Sequence, residues 1–234
     1  MTALYTTALF YNRKSTLSTI SLNILLIIVT YLFNLIQYSI VCLESDTMRA
    51  YIELEDCKLL GRGAEGTVYL SPEGYVLKSF KNKKSADKES FILNHAQSSR
   101  FFPNVILQIS TLIVREYVDG INLYEYLVDN GLSFKLSTEI IDFIEDLKIL
   151  KFTRLNIRNA HIFINEKEEL MVIDPRKSFS KATPYPKDII KILLKLHLFD
   201  LFLEHLTDYK PDLLQYWIDG YKYVARFNKV SRYG

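Results

Sequence analysis

The sequence predicts an α+β protein, with a β-rich first half, an α-rich second half and a cleft between them. Three observations carry that prediction. Before Asp119-Gly120 the chain holds five short β-prone runs and one stretch of helical spacing; beyond it, apolar residues recur mostly at helical spacing. The first two runs are joined by a glycine string, Gly61-Arg62-Gly63-Ala64-Glu65-Gly66-Thr67-Val68. The 234 residues, 49% hydrophobic and 24% charged, are enough for a sizeable core.

Tyr51 to Leu60 reads as the first strand, and Thr67–Leu70 and Tyr75–Phe80 as the next two, with Ser71-Pro72-Glu73-Gly74 as the turn between them. Lys81 to Lys84 reads as a basic, solvated turn. Ala86 to Ser98 has helical spacing, with Phe91, Ile92, His95 and Ala96 on one side. Val105–Ile109 and Leu112–Val118 complete the β-rich half. Beyond Gly120, Leu123–Val128 is a short helix, and Ser137 starts a longer one through Ile140, Ile141, Ile144, Leu147 and Leu150. Residues 155–173 return to β character, split at Glu166–Glu169. Asp188–Leu206 reads as one long amphipathic helix carrying His197 and His205, and Leu213–Val224 as another. Trp217 and the C-terminal tyrosines read as packing residues. No internal repeat or low-complexity tract is present.

Net charge is +2, which argues against nucleic acid as the main partner. The two cysteines, Cys42 and Cys57, make neither a disulfide framework nor a zinc pattern, in keeping with a cytosolic domain. Residues 1–47 stand apart. Ser15 to Leu43 carries no charge, and its apolar centre, Leu22–Phe33, makes 15–43 a candidate transmembrane helix. Arg13 and Lys14 before it, and Glu44 and Asp46 after it, would leave the N-terminus in the cytosol and export the rest. That orientation conflicts with a domain that uses cytosolic nucleotide. Three readings stand: insertion in the opposite sense as a single-pass anchor, an uncleaved signal-like segment, or translation from Met48.

The glycine string lets a backbone turn sharply and present N–H groups to a phosphate chain. The residues after the string narrow the kind of nucleotide site. A dinucleotide fold needs a helix directly after the glycines, and a Walker loop needs Gly-Lys-Ser/Thr; neither is present. Instead a second strand comes next, with Lys78 on the one after it.

With these residues the chain resembles the protein kinase superfamily, and most closely small bacterial serine/threonine kinase-like proteins. The resemblance covers roughly residues 54–205 and implies a reduced two-lobed fold, with 48–118 as the N-lobe and 119–234 as the C-lobe. It implies that Gly61, Arg62, Gly63, Gly66 and Val68 cover ATP. Lys78 would contact the phosphates and be positioned by Glu89, and the backbone of Glu116 and Val118 would hold the adenine.

The second half of the signature is altered. Arg154-Leu155-Asn156 stands where His-Arg-Asp is usual, His161 where the metal-binding Asn lies, and Asp174-Pro175-Arg176 in place of Asp-Phe-Gly. Asp174 and His161 are the implied ligands for Mg²⁺ or Mn²⁺, though Mg²⁺ prefers oxygen. Asp188 matches the aspartate that braces the catalytic loop. Asn156 can orient a hydroxyl but cannot take its proton. Only fourteen steps separate Asp174 from Asp188, and Ala-Pro-Glu is absent, which leaves little peptide platform.

The resemblance therefore implies an ATP-dependent serine/threonine kinase-like phosphotransferase of weak activity, acting on a protein or small-molecule acceptor. Two alternatives stand beside it: a pseudokinase that binds nucleotide or a partner, and a small-molecule kinase.

Overall fold

Alternating apolar residues and tight turns fold the β-rich half into one antiparallel five-stranded sheet. Its strands are β1 (Lys58–Arg62), β2 (Gly66–Leu70), β3 (Tyr75–Phe80), β4 (Val105–Ile109) and β5 (Leu112–Glu116), in the order β1-β2-β3-β5-β4. The computed structural model describes residues 56–175, 178–180 and 182–230. The hydrophobic segment 1–47, with its apolar run 15–43, and residues 51–55 of the expected first strand lie outside the described residues. Among the described residues no helix is long and apolar enough to cross a membrane.

Register fixes which side chains share a face of this sheet. Val68 pairs with Lys78 and Lys78 with Ile113; Leu70 pairs with Val76 and Val76 with Arg115. Because pairing partners lie on the same side of a sheet, Val68, Val76, Lys78, Ile113 and Arg115 lie on one face. Helix α1 (Lys83–His95) packs beside the sheet through Ala86, which meets Phe80 and Ile113.

The second half is mainly helical: α2 (Leu123–Asn130), α3 (Phe134–Ile149), α4 (Lys187–Lys195), α5 (Phe199–Tyr209) and α6 (Leu214–Val230). A small three-stranded sheet, β6 (Ile121–Asn122), β7 (Ile162–Ile164) and β8 (Leu170–Val172), lies among them. The α3 stripe of Leu136, Ile140, Ile144 and Leu147 is fully buried, as sequence spacing predicts. Trp217 packs edge-on against Phe202 at 4.6 Å and is 1% exposed, a core residue as expected.

Several boundaries differ from the expectation, each for a local reason. Helix α1 begins at Lys83, inside the expected basic turn, because the Asn82 side chain caps it by accepting the Ser85 N–H at 2.9 Å. Helix α3 begins at Phe134 because Ser133 caps it in the same way through Leu136 N–H. Of the expected α1 face, Ile92 and Ala96 are buried, whereas Phe91 and His95 are exposed at its edge, against Phe179, with His95 Nε2 2.9 Å from Leu150 C=O; Ala86, Glu89, Ser90 and Leu93 complete the buried side.

The expected long helix 188–206 is two helices. His197 adopts a left-handed φ of 57°, and Leu198 N–H bonds back to Leu193 C=O at 2.8 Å. His197 N–H bonds to Leu194 C=O at 3.3 Å, which completes a helix-ending motif usually built on glycine. His197 and His205 therefore lie on different segments, and His205 Nδ1 bonds the Ser137 hydroxyl at 2.8 Å. Within residues 155–173 only 162–164 and 170–172 are strands of the sheet.

Candidate functional site

Strand alternation turns Lys78 of β3 toward the helical half, and helical spacing turns Glu89 of α1 toward Lys78. Their charged atoms, Lys78 Nζ and Glu89 Oε2, are 2.6 Å apart, with both side chains nearly sealed from solvent. Asp174 Oδ1 approaches the same ammonium at 3.7 Å. Burial pushes the Glu89 carboxyl up to about 7, and the Asp174 charge adds to that push; Lys78 and Arg115 oppose it. Three residues far apart in sequence thus meet as one charged cluster at the end of β3.

Asp174 comes after β8, whose exit is held by a bond from Ile173 N–H to His161 C=O at 2.9 Å. Its φ of 58° is left-handed, a conformation an aspartate tolerates better than most residues. His161 closes a short 3₁₀ turn, Asn159–His161. Its imidazole is held below the ordinary histidine range, first by burial and then by Arg158 and Lys78, against the pull of Asp174.

A cavity of about 450 Å³ opens at Asp174; Lys78 and Glu89 lie behind it and do not line it. Ala64 and Glu65 of the glycine turn line it, with Asn156, His161 and Asp174 opposite; Lys88, Arg154 and Arg158 add positive charge. Among the described residues no group of three or more His, Cys, Asp or Glu side chains gathers to hold a metal. Asp174 fits Mg²⁺ as a single carboxylate ligand whose other positions go to phosphate oxygens and water. His161, as a nitrogen donor, suits Mn²⁺ better than Mg²⁺.

Asn156 is 5% exposed, and its side chain has a definite task. Its Oδ1 accepts the Asp188 main-chain N–H at 2.7 Å, satisfying a donor at the start of α4. Because that partner is a donor, the atom facing it must be the amide oxygen. The residue still lines the cavity, and Nδ2 is the polar group left to meet a ligand.

The segment after Asp174 folds back on the same loop. Ser178 C=O accepts Arg154 N–H at 3.0 Å, and Thr183 pairs with Thr153 and Leu155.

A second cavity, of about 350 Å³, lies next along the sheet. Leu60, Gly61, Val68 and Val76 line it from the sheet, and Val118, Gly120, Phe163 and Ile173 from the other side, with Arg115 and Tyr117. Gly120 has φ +117°, and a Cβ there would stand 2.3 Å from Ile164 C=O, so only glycine fits. The expected residues Gly61, Val68 and Val118 do line this cavity. Glu116 is engaged otherwise: its carboxylate accepts from Asn104 N–H at 2.9 Å and Nδ2 at 3.2 Å, and its carbonyl accepts from Arg115 Nη1 at 2.8 Å.

The glycine string is closed by a bond from Gly63 N–H to Gly66 C=O at 2.8 Å. Gly66 is required by packing, because a Cβ would lie 2.1 Å from Ser79 C=O; at Gly61 a Cβ would meet nothing within 4 Å. Arg62 is exposed at the end of β1.

Arg115 is the residue that sequence reading missed. Its signal was a lone charge inside the apolar run Leu112-Ile113-Val114-Arg115, at the parity of Ile113 and Lys78's face. It is 6% exposed, and burial pushes its guanidinium below the usual arginine range. No protein-family model matches this chain, and no curated protein matches it.

Proposed function

We propose that residues 56–230 form a reduced, two-lobed protein-kinase-like module that binds a metal–nucleoside triphosphate in its cleft. ATP with Mg²⁺ or Mn²⁺ is the pair the sequence resemblance implies. The observation that carries this reading is the Lys78 cluster: an ammonium 2.6 Å from Glu89 and 3.7 Å from Asp174, which lines the same cavity as Ala64 and Glu65 of the glycine turn. A triphosphate needs a fixed cation and a metal-holding carboxylate at that spacing, and Glu89 keeps Lys78 extended toward it. Asp174 would hold the divalent ion, which when bound neutralises charge on the phosphate oxygens. His161 would assist there. The glycine turn would exclude water above.

Turnover is limited by Asn156. An amide has no lone pair basic enough to take a hydroxyl proton, and its oxygen already accepts from Asp188 N–H. That bond favours a second reading, a binding module with little or no phosphoryl transfer. If transfer occurs, the acceptor is small, because only fourteen steps separate Asp174 from Asp188 and leave little peptide platform. A triphosphate requirement also places the module on the cytosolic side of any membrane anchored through residues 15–43.

The test is metal-dependent nucleotide binding by the full-length chain, followed by transfer of labelled phosphate. Asp174→Ala should abolish metal-dependent binding. Binding and transfer undiminished in that variant would overturn the assignment.

A further inference from the structure

We infer that the base this cleft selects is a keto purine, guanine or hypoxanthine, and that Arg115 selects it. The inference rests on the nucleotide reading above and concerns the other end of the ligand.

The second cavity, about 350 Å³, is large enough for a purine. Val76 and Leu60 on the sheet side, and Phe163 and Ile173 on the other, offer apolar surface to the faces of a ring. Specificity must then come from the polar groups at its edge. Arg115 is the charged side chain that lines this cavity, on the same sheet face as Val76 and Lys78.

A guanidinium carries five N–H donors and no acceptor. Among the described residues its hydrogen-bond acceptor is Glu116 C=O, reached by Nη1 at 2.8 Å. The Glu89 and Asp174 carboxylates lie near enough to offset its charge. The remaining donors are left to a ligand. The Val118 main-chain N–H, also at the cavity, has no acceptor among the described residues. The base edge thus meets the donors of Arg115 and Val118, and the Glu116 carbonyl is already taken up by Arg115.

Adenine presents a 6-amino group, so donor would face donor. Guanine and hypoxanthine present O6, an acceptor, beside the N7 acceptor. Arginine bonding to O6 and N7 is the commonest specific contact to guanine, and a good two-point pair discriminates by about tenfold or more.

The experiment is calorimetric titration of the full-length chain with GDP, IDP and ADP in Mg²⁺. GDP should bind at least tenfold tighter than ADP. IDP, which keeps O6 but lacks the 2-amino group, should track GDP. Arg115→Gln should move the preference toward ADP, because an amide both donates and accepts and so matches adenine N6 and N7. Arg115→Met should erase the ranking, with thermal melting to show that each variant is folded.

ADP binding as tight as GDP in the unaltered chain overturns the role of Arg115 and leaves the nucleotide site standing. An unchanged ranking in folded Arg115→Gln does the same. Binding of none of the three overturns the base assignment, while the triphosphate reading is decided by the metal-dependent binding test above. Should the variants fail to fold, the ranking in the unaltered chain still decides.

Discussion

Asn156 and Asp188, thirty-two residues apart, are joined by a hydrogen bond from the Asp188 main-chain N–H to the Asn156 side-chain oxygen at 2.7 Å. The bond ties the loop below the cleft to the first turn of α4. It gives the Asn156 amide a structural task, because capping needs only an acceptor oxygen.

That double role makes Asn156 informative to change. Asn156→Asp keeps an acceptor for Asp188 N–H, and a negative charge at a helix N-terminus is favourable. Its second oxygen replaces a donor with a group able to take a proton. Phosphate transfer from GTP or ATP should rise by about 10²–10⁴-fold, the usual contribution of a general base. Asn156→Ala removes the cap and should cost about 1 kcal/mol, lowering the melting temperature by about 2–4 °C. Radiolabel transfer and thermal melting read the two effects separately.

Glu89 makes stability depend on pH. Its carboxyl sits at about 7 in the fold, above the ordinary 4.5. Between those values the folded state binds more protons than the unfolded state, so stability falls as pH rises from about 4.5 to about 7. Below that window the contribution is fully present, and above it the penalty for burying the charge is complete. The difference is at most about 3 kcal/mol. Urea denaturation at pH 5 and pH 8 should show a larger loss in the unaltered chain than in Glu89→Gln. Equal losses would remove Glu89 as the source.

Two glycines of one string should separate packing from function. Gly66→Ala places a Cβ 2.1 Å from Ser79 C=O, between paired strands, and neither backbone can yield without breaking the β2–β3 ladder. It should destabilise by more than about 2 kcal/mol. Gly61→Ala meets nothing within 4 Å and should change stability by less than about 0.5 kcal/mol. Loss of nucleotide binding in folded Gly61→Ala would then report ligand approach alone. Chemical denaturation and calorimetry of both variants check this.

The residues that sequence reading placed well are those set by local rules. The β-prone run 75–80 put Lys78 on a strand, and helical spacing gave the buried stripe of α3. Glu89 was placed by resemblance, and its burial shifts the inward side of α1 away from Phe91 and His95 while leaving Ile92 and Ala96 in the core. Helix ends were harder to read. The motifs that end α3 and α4 use Lys151 (φ 56°) and His197 (φ 57°), where glycine would have signalled a stop. With no glycine at 197, the apolar period running through Leu194, Leu198 and Leu201 looked continuous. The Asn156–Asp188 bond and the Arg115–Glu116 contact depend on how distant segments dock and how one long side chain turns, and no spacing encodes either.

The Lys78–Glu89 pair allows stability and binding to be told apart. Lys78→Met leaves a carboxyl almost wholly buried without its nearest partner, and breaking a buried pair is costly. Here the loss is softened because Glu89 can take a proton. The variant should lose about 1–3 kcal/mol at pH 8 and less at pH 5. Lys78→Met with Glu89→Leu replaces the pair by apolar groups of similar size, and should recover to within about 1 kcal/mol of the unaltered chain. Neither variant should bind triphosphate, because both lack the ammonium. A double variant that regains stability but not binding identifies Lys78 as a ligand contact; one that regains both would show that the pair serves the fold alone.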